Sequence, residues 1–146
     1  MALDALYLEK ILEHYKRPRN MERPATWDGR ARSANPACGD DLSVYLTLEG
    51  DRIAGIRFDG SGCAISLSSA SMMTEALWGK SLEEAERFRD SFLALMAEGT
   101  ASGGADLGDL EVLQGVRTYP ARIRCATLAW DALTDALEEA VDAKKG

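Results

Sequence analysis

Three cysteines and one aspartate have the types and spacing for chemistry at sulfur. Cys38 lies in Asn35-Pro36-Ala37-Cys38-Gly39-Asp40, Cys63 in Asp59-Gly60-Ser61-Gly62-Cys63-Ala64, and Cys125 in Arg122-Ile123-Arg124-Cys125-Ala126. Each falls at a boundary between expected elements, where a rigid scaffold exposes its functional side chains. Neighbouring glycines at Cys38 and Cys63 let the backbone come close to an ion or cluster. A thiol at a helix start, as expected at Cys63, is also acidified by the helix dipole. In Cys38-Gly39-Asp40 the glycine can turn the chain so that thiol and carboxylate meet on one ion. Cys38, Cys63, Cys125 and Asp40 then supply the four donors of a tetrahedral Zn²⁺ site. The same set would hold a [2Fe-2S] cluster in which an oxygen replaces one sulfur and eases release. The bland alternative is three buried cysteines acting as small hydrophobes. No C-x-x-C pair signals a zinc ribbon or a thioredoxin-like centre.

The residues around these four are weighed in the same way. His14, the single histidine, is remote from every cysteine in sequence and reads as a surface or supporting residue, not a ligand. Asp41 reads as a solvated neighbour of Asp40, although a swap of roles between them stays open. Trp27, Trp78 and Trp130 read as packing residues. Arg124 is singled out because an ion held by three thiolates and a carboxylate is net negative, and a guanidinium beside Cys125 would offset that charge.

Composition limits the partners. The chain has 146 residues, with 17 Lys and Arg against 24 Asp and Glu, for a net charge of −7. That length fits one domain, residues 1–146, able to bury a core without staples. The acidic balance argues against nucleic acid or an anionic membrane as the main partner. An odd cysteine count points to a reducing compartment. Neither a signal peptide pattern nor a long uncharged apolar run is present, so the expected location is cytoplasmic.

The elements that must position the site follow from periodicity. Leu3, Tyr7, Leu8, Ile11, Leu12 and Tyr15 recur at helical spacing, and Pro18 ends that helix. Residues 19–41 read as loop with one short edge strand near Gly29–Ser33. Leu42, Val44, Leu46 and Leu48 alternate as a strand; Gly50-Asp51 turns it into a second, Arg52–Phe58, with Ala54, Ile56 and Phe58 on one face. A small-residue helix runs from Cys63 and ends at Gly79. Ser81-x-x-Glu84 is a capping box for the next helix, which Gly99 terminates. Residues 100–105 read as a flexible loop, and Leu107–Val116 as a short helical segment. Pro120 opens a last helix with one apolar stripe, Cys125, Leu128, Ala129, Ala132, Leu133, Ala136, Leu137 and Ala140. The sum is an α+β fold, a small antiparallel sheet with helices packed on one face.

Together these motifs resemble the U-type iron-sulfur assembly proteins. The resemblance rests on Pro36-Ala37-Cys38-Gly39-Asp40, on Gly62-Cys63-Ala64-Ile65-Ser66 with Ser68–Glu75 and Gly79-Lys80-Ser81, and on Arg124-Cys125-Ala126-x-Leu128-Ala129. His14-Tyr15-x-x-Pro18-Arg19-Asn20 adds to it, and the span is about Leu6 to Leu137. It implies the three cysteines and Asp40 at one exposed end, a pyridoxal-phosphate cysteine desulfurase as sulfur donor, and iron-sulfur acceptor or carrier proteins downstream. In the IscU branch a histidine precedes the third cysteine and a Leu-Pro-Pro-Val-Lys motif recruits a chaperone. Here Arg124 and Val116-Arg117-Thr118-Tyr119-Pro120 stand at those places, and the longer Cys63–Cys125 segment, with residues 99–108 inside it, resembles the SufU branch. A dedicated chaperone is therefore not expected. What the SufU resemblance implies is zinc on Cys38, Asp40, Cys63 and Cys125, a partner histidine that frees Cys38, and persulfide sulfur accepted by Cys38. A scaffold for a [2Fe-2S] cluster is the competing reading, and a purely structural zinc is the third.

Overall fold

The computed structural model describes residues 2–99 and 106–145, with side chains from Leu8 onward. Three strands form an antiparallel meander in the order β1 (Gly29–Asn35), β2 (Asp40–Glu49), β3 (Arg52–Ser61). Four α-helices accompany it: α1 (Ala2–Lys16), α2 (Ala64–Leu77), α3 (Leu82–Glu98) and α4 (Pro120–Lys145). The segment expected to be helical before α4 is a run of 3-10 turns, Gly108–Thr118. The flexible loop expected at residues 100–105 lies outside the described residues.

Alternation along β2 buries Leu42, Val44, Leu46 and Leu48 against α4, and α4 returns the stripe anticipated from its sequence, Cys125 through Ala140, all buried. Trp130 closes this layer between Phe88 and Phe92 of α3, with ring centroids 6.0 and 4.5 Å away. Edge strand β1 lies so near α4 that a Cβ on Gly29 would come within 2.1 Å of the Ala136 carbonyl oxygen. Any side chain there would push backbone against backbone.

Two expectations about faces are corrected. On β3 the core face is Ile53, Ile56 and Phe58, not Ala54, Ile56 and Phe58, because the β2–β3 register shifts between Thr47 and Leu48. An extra residue in a bulge turns the alternation over. On α1 only Ile11 of the described stripe is buried, whereas Leu8, Leu12 and Tyr15 are exposed. The Leu3 and Tyr7 side chains lie outside the described residues. The face that does pack holds Ile11 and His14. His14 is buried, not superficial: its Nδ1 lies 2.7 Å from Ser71 Oγ, which also accepts the Arg19 N–H at 2.8 Å.

The buried serines of α2 set its position. Ser68 donates to the Ile11 carbonyl (2.7 Å) and Ser69 to the Ala126 carbonyl (2.6 Å), so α2 is tied to α1 on one side and α4 on the other. Small side chains allow the helices to approach, and each hydroxyl finds a carbonyl, as buried polar groups require. Ser68 meets Ile11 and Ser71 meets His14, so α1 and α2 run parallel and the start of each lies at the same end. Among the described residues no helix is long and apolar enough to cross a membrane.

Candidate metal centre

Each thiol is presented by a different junction. Asn35 and Asp40 pair at the turn end of the β1–β2 hairpin, and residues 36–39 form the connecting loop. Cys38 N–H donates to the Asn35 carbonyl (3.1 Å) and Gly39 N–H to the Pro36 carbonyl (3.4 Å). Gly39 has φ +73°, the left-handed conformation that returns the chain into β2. Cys63 is the N-cap of α2, its sulfur accepting the Ser66 N–H at 3.4 Å. Cys125 is on the first turns of α4 and fully buried, while Cys38 and Cys63 are partly exposed.

These junctions converge. Cys125 Sγ lies 3.3 Å from Cys38 Sγ, and the donor atoms of Cys38, Asp40 and Cys125 all fall within 4.8 Å of one another. Cys63 joins this trio through Asp40: its N–H donates to Oδ1 at 2.8 Å and its thiol faces Oδ2 at 3.9 Å. Asp40 is 1% exposed, and Gly62 is where a Cβ would press to 3.0 Å from Oδ1 and 2.3 Å from Ser66 Oγ. The glycine before Cys63 is thus required by the carboxylate's place. Three sulfurs and one carboxylate oxygen, gathered at the edge of the core, match the donor set of a tetrahedral zinc ion.

Strand alternation settles the two aspartates. Asp40 points into this cluster, and Asp41 points to the other sheet face, where Arg32 Nε and Nη2 grip it at 2.6 and 2.5 Å. That bidentate pair holds the Asp41 carboxyl below the usual carboxylate range.

The guanidinium at the thiols belongs to Arg122 and not to Arg124. On α4, residue 122 is three before Cys125 and shares its inward face, whereas residue 124 is turned about 100° away. Arg124 is exposed, and its Nη2 donates to the Ala34 carbonyl at 3.5 Å. Arg122 faces Cys63 and Cys125, whose sulfurs hold its proton more tightly still, and its buried Nε meets no acceptor among the described residues. Burial pushes the Cys125 thiol well up, with contacts to Cys38 and Asp40 adding and Arg122 opposing.

Asn35 and Ser66 also touch the sulfurs and were not anticipated. Asn35 Nδ2 donates to Cys125 Sγ at 3.8 Å. The spacing Cys63-x-x-Ser66 is that of an N-cap and its third helical residue, and Arg122-x-x-Cys125 is one helical turn, so both were readable from an expected helix. Nothing local in the sequence pairs Asn35 with a residue 90 positions later.

Comparisons with known proteins identify the family. The family model for the NifU-like N terminal domain matches residues 6–144. Over 132 residues the chain is 45% identical to the zinc-dependent sulfurtransferase SufU of Bacillus subtilis, covering 90% of this chain and 88% of that protein. It is 39% identical to the iron-sulfur cluster assembly scaffold protein IscU of Streptococcus pyogenes, over 97% of this chain and 89% of that one. Among solved structures, a putative scaffold protein for the SUF system from Fervidobacterium islandicum superimposes with TM-score 0.82 at 30% identity, covering 91% and 97% of the two chains. With the three thiol junctions and a match of this extent, the chain belongs to the NifU-like N-terminal domain family, the IscU and SufU proteins of iron-sulfur cluster assembly.

Proposed function

We propose that this protein accepts persulfide sulfur on Cys38 from a pyridoxal-phosphate cysteine desulfurase, in the cytoplasm, and passes it toward cluster assembly. Zinc fits the donor set of Cys38, Asp40, Cys63 and Cys125, and when bound it would keep the three sulfurs deprotonated and in place. The observation that carries the proposal is the inequality of the three sulfurs. Cys63 accepts the Ser66 N–H and faces Arg122; Cys125 accepts from Asn35 and faces Arg122. Among the described residues no N–H donor reaches Cys38 Sγ, whose only sulfur contact is the Cys125 thiol, and it sits on an exposed four-residue loop. Cys38 is thus the least restrained sulfur and retains the most nucleophilic electron density.

In the transfer, the Cys38 thiolate attacks the outer sulfur of the partner's persulfide. A new S–S bond forms on Cys38 while the partner's S–S bond breaks, and the partner cysteine leaves as thiolate with the bonding pair. Asp40, fixed by the Cys63 N–H, and the two hydrogen-bonded sulfurs remain in position while Cys38 moves with its loop. The similarity to a protein named a zinc-dependent sulfurtransferase supports sulfur transfer as the activity.

The test is transfer of sulfur from isotopically labelled cysteine by a purified desulfurase. Label on the wild-type chain and none on Cys38→Ser is the expected result, and a Cys38→Ser chain labelled at the wild-type rate refutes it. A second reading treats a [2Fe-2S] cluster as cargo built on the same four donors, favoured by the buried carboxylate grouped with the Cys38 and Cys125 sulfurs and facing Cys63, and by similarity to a protein named as a scaffold. Visible absorption of a reconstituted cluster that moves to an iron-sulfur acceptor apoprotein distinguishes it.

A further inference from the structure

Asn35 occupies a place that no other residue of the site shares. It ends β1, pairs with Asp40 across the hairpin, and gives its carbonyl to the Cys38 N–H at 3.1 Å. Its side chain, with the residue 5% exposed, turns the other way and gives Nδ2 to Cys125 Sγ at 3.8 Å. One residue therefore sets the direction of the Cys38 loop through its backbone and engages the Cys125 sulfur through its side chain. The two sulfurs it addresses are 3.3 Å apart. Among the described residues it is the one residue of the hairpin whose side chain gives an N–H to a sulfur of α4.

We propose that Asn35 is a positioning residue that separates the roles of two adjacent sulfurs, retaining Cys125 in the site while Cys38 departs. An N–H directed at a sulfur withdraws electron density from it and fixes its orientation, so the sulfur that accepts the bond is the poorer nucleophile. Cys38 receives no such donor. The amide also restrains Cys125 from following Cys38 out of the site. The inference rests on Cys38 being the sulfur that reacts, but its test does not use the desulfurase.

The experiment loads wild type, Asn35→Ala and Asn35→Asp with zinc and alkylates them briefly with iodoacetamide, then locates the label by peptide mass spectrometry. In wild type, label on Cys38 leads that on Cys125, whose sulfur is buried as well as hydrogen-bonded. In both variants that lead narrows by about tenfold, the scale expected of losing one hydrogen bond to a charged group, and zinc measured by a chromophoric chelator is held about tenfold less tightly. Cobalt(II) in place of zinc adds a spectroscopic readout: the sulfur-to-cobalt absorption moves to lower energy once Cys125 loses its donor. An unchanged labelling ratio in folded variants overturns the proposal. Should neither variant fold, the wild-type chain still decides it: the Asn35 side-chain amide resonance must shift on loading with cadmium, and an amide indifferent to the metal refutes the role. If Cys38→Ser accepts sulfur normally while the labelling ratio still depends on Asn35, the acceptor assignment fails and the positioning role stands.

Discussion

Replacing Asp40 separates two roles that one carboxylate carries. Asp40 Oδ1 accepts the Cys63 N–H at 2.8 Å at the start of α2, in a residue 1% exposed, and Oδ2 faces the thiols. Asp40→Ala leaves that N–H without an acceptor, which costs about 1–3 kcal/mol, and removes a negative charge from a helix N-terminus, which costs about 0.3–1 kcal/mol more. For a chain of this length about 1 kcal/mol lowers Tm by roughly 2–4 °C, so the metal-free variant should melt about 5–10 °C below wild type. Asp40→Asn keeps an oxygen for the Cys63 N–H and gives up only the charge, so its metal-free Tm should fall by about 1–4 °C. Zinc binding divides the variants differently, because both lose the carboxylate ligand and both should release zinc to a competing chelator. The assay is calorimetric melting in excess chelator alongside zinc titration of the same samples. A metal-free Asp40→Ala chain that melts with wild type, or Asn and Ala variants that melt together, would refute the capping role.

Two further outcomes follow from the charged groups. Burial above all, with Arg19 adding, holds His14 below the usual imidazole range, while Glu75, Glu13 and Asp109 pull the other way. A depressed folded value means that stability is full above the unfolded histidine value near 6.5 and is lost as pH falls through the folded one. The metal-free chain should therefore melt lower at about pH 5 than at about pH 7, and His14→Gln should flatten that dependence; an identical slope in both counts against it. Arg122→Leu should speed zinc loss to a chelator by about tenfold, whereas Arg124→Leu should leave it near wild type, and the reverse order would place the supporting cation wrongly.

What could be read in advance divides along physical lines. The thiols, Asp40 and the element order were legible because each depends on local pattern: alternation along β2, the capping box at Ser81, and the stripe of α4 whose register fixes Cys125 inward. The expectation for Arg124 fails because adjacency in sequence is not adjacency in space: a helix places residue 122, not 124, beside 125. The expectation for Ala54 fails because a bulge between Thr47 and Leu48 has no signal in hydropathy. The apolar residues of α1 formed a sound helical pattern but left open which side would be covered. The choice fell to Ser68 and Ser71 of α2, whose hydroxyls take the side carrying Ile11 and His14. Asn35 lay beyond sequence reasoning because its contact joins a hairpin end to a helix through tertiary folding alone.

The meeting of Cys38 with Cys125, 87 positions apart, also orders events during synthesis. A growing chain exposes Cys38, Asp40 and Cys63 early, as a hairpin and a helix start, and these can capture a metal only with an incomplete set. The last sulfur arrives when α4 docks on β1, at the contact where Gly29 admits the backbone of Ala136. On the proposed site, tight metal retention would therefore report a finished chain, and a truncated or misdocked one would surrender its ion to any competent cellular thiol.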